Sequence, residues 1–123
     1  MLIKDFYRVI ESAKADEKIE VKIQLNPDHE VYEGHFKGQP VVPGVIQLQI
    51  IKELIEKWIG KSLFMNNTVQ VKYLIPIVPD GKLPIDFQIT KLSSVNGKIR
   101  INAVVSISER VATKVKIEFA VEK

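Results

Sequence analysis

Polar and apolar positions along the chain fall into two rhythms. Residues 18–25, KIEVKIQL, alternate strictly, with Ile19, Val21, Ile23 and Leu25 on one face, and this predicts a half-buried strand. Asn26-Pro27-Asp28 breaks it. In PGVIQLQIIKELIEKWIG, from Pro43 to Gly60, apolar residues at 45, 46, 48, 50, 51, 54, 55, 58 and 59 occupy most of a helical circumference, so a largely buried helix is expected. Proline at the first helical position and Gly60 just past the end are the matching punctuation. Four alternating runs follow. They are carried by Val69, Val71, Tyr73 and Ile75; by Leu83, Ile85, Phe87 and Ile89; by Ile99 to Ile107; and by Val111, Val115, Ile117, Phe119 and Val121. Pro79-Asp80-Gly81 and Asn96-Gly97 separate the first three, and Ser108-Glu109-Arg110 is a weaker break before the fourth. Upstream, Leu2, Phe6, Val9, Ile10 and Ala13 lie near helical spacing and predict a short amphipathic helix over residues 2–14.

A strand, a buried helix and four antiparallel strands predict an α+β architecture, one sheet curled around one helix. Trp58 and Phe64, at the helix end and a strand start, are expected in the core. With no internal repeat, linker or low-complexity segment, the 123 residues read as one domain over 1–123. The edges of such a sheet need cover, and edge-to-edge pairing of two copies supplies it, so a dimer is expected on physical grounds.

Composition narrows the function classes. At 46% hydrophobic and 27% charged, the chain has the balance of a globular protein. It contains no cysteine, which excludes disulfides and thiolate metal sites and makes a cytoplasmic home the default expectation. The start, MLIKDFYRVIESAK, lacks the uninterrupted apolar run of a signal peptide, and no run approaches the roughly 20 residues that span a bilayer. A net charge of +3 with dispersed lysines argues against nucleic acid, while it suits an acidic protein partner. Lys37, Lys52, Lys57 and Lys61 are candidates for that contact, against the plainer reading of a solvated surface.

The chemistry gathers around residues 29–53. His35 stands in Gly34-His35-Phe36, between strand and helix, where a neutral imidazole can act as a base near physiological pH. The alternative is a structural loop histidine. Pro40 and Pro43 stiffen the connector, and the helix that follows offers free N–H groups around Gly44 and Val45. A helix N-terminus stabilises negative charge on a thioester or ester oxygen. A base beside such a site suits removal of a proton alpha to a carbonyl. His29, just after a turn, reads as structural, and without a histidine or cysteine cluster no metal or other cofactor is expected. Ile51, Leu54 and Ile55 would line an acyl tunnel or, as such stripes usually do, pack on the sheet.

Residues 29–45 read H-x-x-Y-x-G-H-F-x-G-x-P-V-V-P-G-V, and residues 71–81 read VKYLIPIVPDG. The first resembles the motif of the hot-dog-fold 3-hydroxyacyl-(acyl-carrier-protein) dehydratases. The second resembles that family's K-F-x-x-P-V-x-P-G-D segment with its last two residues exchanged. The alternating strands match the fold over nearly the whole chain, and Gly44-Val45-Ile46-Gln47-Leu48 is most similar to small dehydratases of aryl-polyene and related pigment pathways.

The resemblance implies a hot-dog dimer that removes water from a (3R)-3-hydroxyacyl thioester on a carrier protein or coenzyme A, giving the trans-2-enoyl product. His35 matches the family's catalytic histidine and Gly44 the glycine whose N–H polarises the thioester carbonyl, with Val45 and Phe36 beside them. The family's second catalytic group is a Glu or Asp on the central helix, supplied by the other subunit. That position is Gln49 here, and Glu53 stands one turn on, where the family typically carries glutamine. The two types are thus exchanged at i and i+4, on one helix face and about 6 Å apart along the axis. An amide orients a water or hydroxyl but gives up no acidic proton. Three outcomes follow: Glu53 supplies the acid from deeper in the helix; a related subunit in a heterodimer completes His35; or the chain binds acyl groups without dehydrating them. For Glu53 the plain alternative is a solvated stripe formed by Lys52-Glu53 and Glu56-Lys57. A hot-dog thioesterase is a further reading, weakened by the same missing carboxylate.

Overall fold

A computed structural model describes residues 5–29, 41–79 and 82–121. Its six strands are β1 (Tyr7–Ala15), β2 (Lys18–Leu25), β3 (Leu63–Tyr73), β4 (Ile85–Val95), β5 (Lys98–Ile107) and β6 (Arg110–Val121), and one helix among the described residues, α1, runs from Gly44 to Ile59. The strands form one antiparallel sheet in the order β1-β2-β4-β5-β6-β3, leaving β1 and β3 at its edges.

Alternation positions the core. Val21 on β2 faces Phe87 on β4, which faces Val105 on β5, while Ile89, Ala103 and Val115 make a parallel row across β4, β5 and β6. All six are buried and close on the helix face built by Leu48, Ile51, Leu54 and Ile55. Ile51 and Ile55 are fully buried, each stabilising the fold by about 1.5–3 kcal/mol. The stripe Ile51-Leu54-Ile55 therefore packs in the core. Gly60 ends the helix at φ 72°, donating its N–H to the Glu56 carbonyl at 2.8 Å. Pro43 proves to be the N-cap, with the helix opening at Gly44. No helix among the described residues is long and apolar enough to cross a membrane.

The expected helix over residues 2–14 is overturned, since Tyr7–Ala15 is a strand paired with β2. A second strand placed to accept its backbone hydrogen bonds outweighs a local helical spacing. Val9 and Ile10, counted toward one helix face, are 39% and 38% exposed on this edge. Phe64 is also corrected, pointing outward at 48% exposure beside the buried Leu63, and Leu83 lies exposed ahead of β4. Trp58 is only partly buried against the core. The Ser108-Glu109 break, in contrast, is a tight two-residue turn with φ of 50° and 65°, the same left-handed pair as Asn96 (54°) and Gly97 (74°).

On β6 the register slips opposite Val105 and Ser106, so that Ala112 is an extra residue between Val111 and Thr113. Its carbonyl accepts N–H bonds from both Leu74 (2.7 Å) and Ile75 (3.2 Å) just past β3. Ala112 and Thr113 are consecutive and both fully buried, which regular alternation forbids.

On β4, Asp86 is paired with Lys22 in the register of β2, and its Oδ1 is out of contact with water without a partner among the described residues, although the residue as a whole is only partly buried. Burial, then the hydrogen bond to and charge of Glu20, push its carboxyl up to about 6, against the opposing pull of Lys22 and Gln88. The folded state therefore holds this proton more tightly than the unfolded chain. Ionised Asp86 costs stability above pH 6, and the cost fades as pH falls toward the ordinary carboxylate range. Asp86→Asn is expected to stabilise the protein at pH 7.5 by on the order of 1 kcal/mol, solvent screening allowed for, with the gain shrinking toward pH 4. Urea unfolding of both proteins at the two pH values checks this.

Candidate active site

Pro43 fixes the backbone entering α1, and its carbonyl accepts the N–H groups of Ile46 (3.0 Å) and Gln47 (3.2 Å). Gly44 and Val45 precede these first bonds, and among the described residues their N–H groups have no backbone acceptor. Val45 is 71% exposed. Gly44 lies under the Tyr73 ring, close enough that a Cβ there would stand 2.5 Å from Tyr73 Cζ. A Cβ at this position would therefore have to push the tip of the half-exposed Tyr73 ring aside. Partial burial pushes the Tyr73 phenol up, keeping it a neutral hydroxyl. Gly44, Tyr73, Val42, Gln47 and Pro76 line a cleft of about 300 Å³ at the helix opening.

One turn below Val45, Gln49 and Glu53 are brought together as their spacing implies. Gln49 Nε2 donates to Glu53 Oε2 at 3.0 Å, and the Tyr7 hydroxyl donates to Glu53 Oε1 at 2.9 Å. Glu53 is only 8% exposed, which overturns the reading of a solvated stripe. The surface stripe is instead Lys52 with Glu56, paired at 3.7 Å. Burial, then the hydrogen bond to Glu53 and its charge, push the Tyr7 phenol well above its usual range, so it remains a donor. Both carboxylate oxygens are thereby engaged, and Gln49 has its amide N–H directed at Glu53, which turns its carbonyl oxygen the other way.

His35 and Phe36 lie outside the described residues, as do Gly34, Lys37 and Pro40. The chain is anchored on both sides of them. His29 sets its ring edge-on against Phe6, centroids 5.1 Å apart, and Val42 donates its N–H to the Ile77 carbonyl at 2.8 Å. Sequence reasoning missed Tyr7, because its segment had been assigned to a helix, and it missed Gln47 and Thr113. The Thr113 hydroxyl donates to Gln47 Oε1 at 2.6 Å in a buried pair 66 residues apart in sequence. A glutamine at an apolar phase of the helix was the available signal for Gln47.

Residues 11–118 match the model of the ApeI-like family, described as ApeI dehydratase. The chain belongs to the ApeI-like dehydratase family. It is similar to the 3-hydroxyacyl-(acyl-carrier-protein) dehydratase FabZ of Clostridium botulinum strain Eklund 17B, 27% identical over 116 residues that cover 86% of this chain and 80% of the relative. Among solved structures, the dehydratase heterocomplex ApeI:P from Xenorhabdus doucetiae matches with a TM-score of 0.75 at 18% identity, covering 92% of this chain and 96% of that one. A hypothetical thioesterase with coenzyme A from Streptococcus pneumoniae matches at 0.67 and 12% identity, over 94% and 85% of the two chains. The curled antiparallel sheet around one helix is the hot-dog fold that the motifs imply.

The contact between Gly44 and Tyr73 gives a test of how the ApeI-like chain holds its helix opening. Gly44→Ala is expected to destabilise the protein by up to about 1 kcal/mol, the low end of overpacking, because the half-exposed Tyr73 ring can shift. In the Tyr73→Ala background the same substitution is expected to cost much less. A double-mutant cycle by thermal unfolding reads the coupling, and additive effects would place Tyr73 elsewhere.

Proposed function

We propose that this protein dehydrates (3R)-3-hydroxyacyl thioesters, carried on an acyl carrier protein or coenzyme A, to trans-2-enoyl thioesters in the cytoplasm, working as a dimer. The observation that carries this reading is the helix opening at Gly44, a cleft-lining N–H terminus in a chain of the ApeI-like dehydratase family. His35 removes the alpha proton, and the negative charge that develops on the thioester oxygen is met by the N–H groups of Gly44 and Val45, with Phe36 beside the acyl group. One such donor is typically worth about 3 kcal/mol toward the intermediate. The electron pair of the broken Cα–H bond becomes the double bond as the C3–O bond breaks, and the hydroxyl leaves as water with the proton taken up by His35. Gln49, held by Glu53, accepts a hydrogen bond from that hydroxyl through its carbonyl oxygen. The exposed apolar residues Phe64, Tyr73 and Leu74 on and beside the β3 edge, with Val45 at the helix opening, support pairing of two hot-dog units.

A second reading rests on Gln49. An amide stands where the resemblance places a carboxylate, and the solved dehydratase ApeI:P is a heterocomplex. A related subunit would then supply the acid to His35. Mass analysis of a 3-hydroxyacyl carrier substrate, with the chain alone and with a dehydratase-like partner, separates the two by where one water is lost. His35→Ala is expected to lower kcat by about 10²–10⁴ with the fold intact. Glu53→Gln, with Gln49 in place, is expected to lower kcat more than it raises KM. Normal turnover by His35→Ala would remove the base from the mechanism, and release of free acid would assign thioesterase chemistry instead.

A further inference from the structure

The cleft at the helix opening has one polar side chain buried in its wall. Gln47 is 4% exposed, and its Oε1 is taken by the Thr113 hydroxyl at 2.6 Å. With Oε1 accepting from Thr113, the Nε2–H groups face away from that hydroxyl. Nε2 finds no acceptor among the described residues, yet it is not sealed from solvent, and Gln47 lines the same cleft as Gly44. Side chains on a helix lean toward its N-terminus, so one at position 47 reaches back over the turn that begins at Gly44. Thr113 faces inward in phase with Val115, Ile117 and Phe119 on β6, where its hydroxyl meets the amide, and the extra residue Ala112 beside it is the one out of phase.

We infer that Gln47 is a substrate-contacting residue whose Nε2–H donates, alongside the Gly44 N–H, to the carbonyl oxygen of an acyl thioester in this cleft, and that Thr113 is the positioning residue that sets the amide. The ligand class is defined by the chemistry: a hydrogen-bond acceptor entering walls otherwise made by Val42, Tyr73, Ile75 and Pro76. A bound carbonyl would take up a donor that no described residue engages, in place of water, for the roughly 0.5–1.5 kcal/mol of one net hydrogen bond. The assignment rests on the thioester reading above but does not need dehydration to occur.

The test uses two probes that cannot be dehydrated, a saturated medium-chain acyl-pantetheine thioester and the thioether in which CH₂ replaces the carbonyl. Both are titrated calorimetrically against the full chain. The wild type is expected to prefer the thioester, and Gln47→Leu to reduce that preference by about tenfold, the size of one hydrogen bond. Thr113→Val keeps the shape and removes only the hydroxyl. It is expected to reduce the preference by about threefold at unchanged thioether affinity, and it carries the test if Gln47→Leu fails to fold by circular dichroism. An equal preference in wild type and variants overturns the inference, as does failure of the wild type to bind the thioester. A lost preference in a chain that never releases water would leave the inference standing and sink the dehydratase reading. Full dehydration with an unchanged preference would do the reverse.

Discussion

Gly44 sits where the first turn of the helix passes beneath the Tyr73 ring, at a separation where a Cβ would have to push the ring tip aside. That contact ties three elements that are remote in sequence. It fixes the start of α1 against the end of β3, and the backbone just beyond β3 is held in turn by the Ala112 carbonyl of the β6 bulge. Next to the bulge Thr113 bonds to Gln47, and Gln47 returns to the wall of the cleft that Gly44 lines. A helix N-terminus in bulk water is screened and of little chemical use. Set in a cleft with apolar walls, its unpaired N–H groups act in a lower dielectric, where fixed donors are worth more.

The second polar group on the helix follows different physics. Glu53 is buried at a cost that neutral packing would avoid, and the structure offsets that cost with two donors, one per oxygen. One of those donors is the Gln49 amide, so the carboxylate also sets how that amide is turned. The exchange of acid and amide between the two positions, relative to the pattern the motifs resemble, therefore has a structural counterpart. The carboxylate has moved to where Tyr7 and Gln49 satisfy it, and the amide faces outward.

The edges of the sheet differ in how they are finished. β3 carries register shifts after Met65 and after Thr68, and such bulges twist an edge away from indiscriminate pairing. β1 carries one shift, after Val9, and presents residues exposed on both faces from Arg8 onward. Only Tyr7, at its inner end, is drawn under the sheet, where it reaches Glu53. An edge strand thus contributes a donor to a buried carboxylate while most of its length remains at the surface.

The sequence by itself determined the elements whose pattern is fixed by a period. β2 is found from Lys18 to Leu25 as its alternation requires, β5 follows its alternating run and β6 does so from Thr113 onward, with Val111 exposed ahead of the bulge, and α1 ends at Gly60 because only a residue at ease with positive φ closes that turn. The helix-face relation of Gln49 and Glu53 was equally legible, since a spacing of four residues carries its own geometry. Tertiary structure alone decided the rest. Tyr7–Ala15 became a strand because β2 was there to pair with it, Phe64 faced outward beside the buried Leu63 on an edge strand, and Ala112 turned inward because one extra residue interrupts β6. Periodicity records which side of an element is apolar, but it holds no information about which remote strand will satisfy a backbone or which side chain will meet a buried amide. Those are set by contacts between segments tens of residues apart, and they exist only once the sheet has closed on the helix.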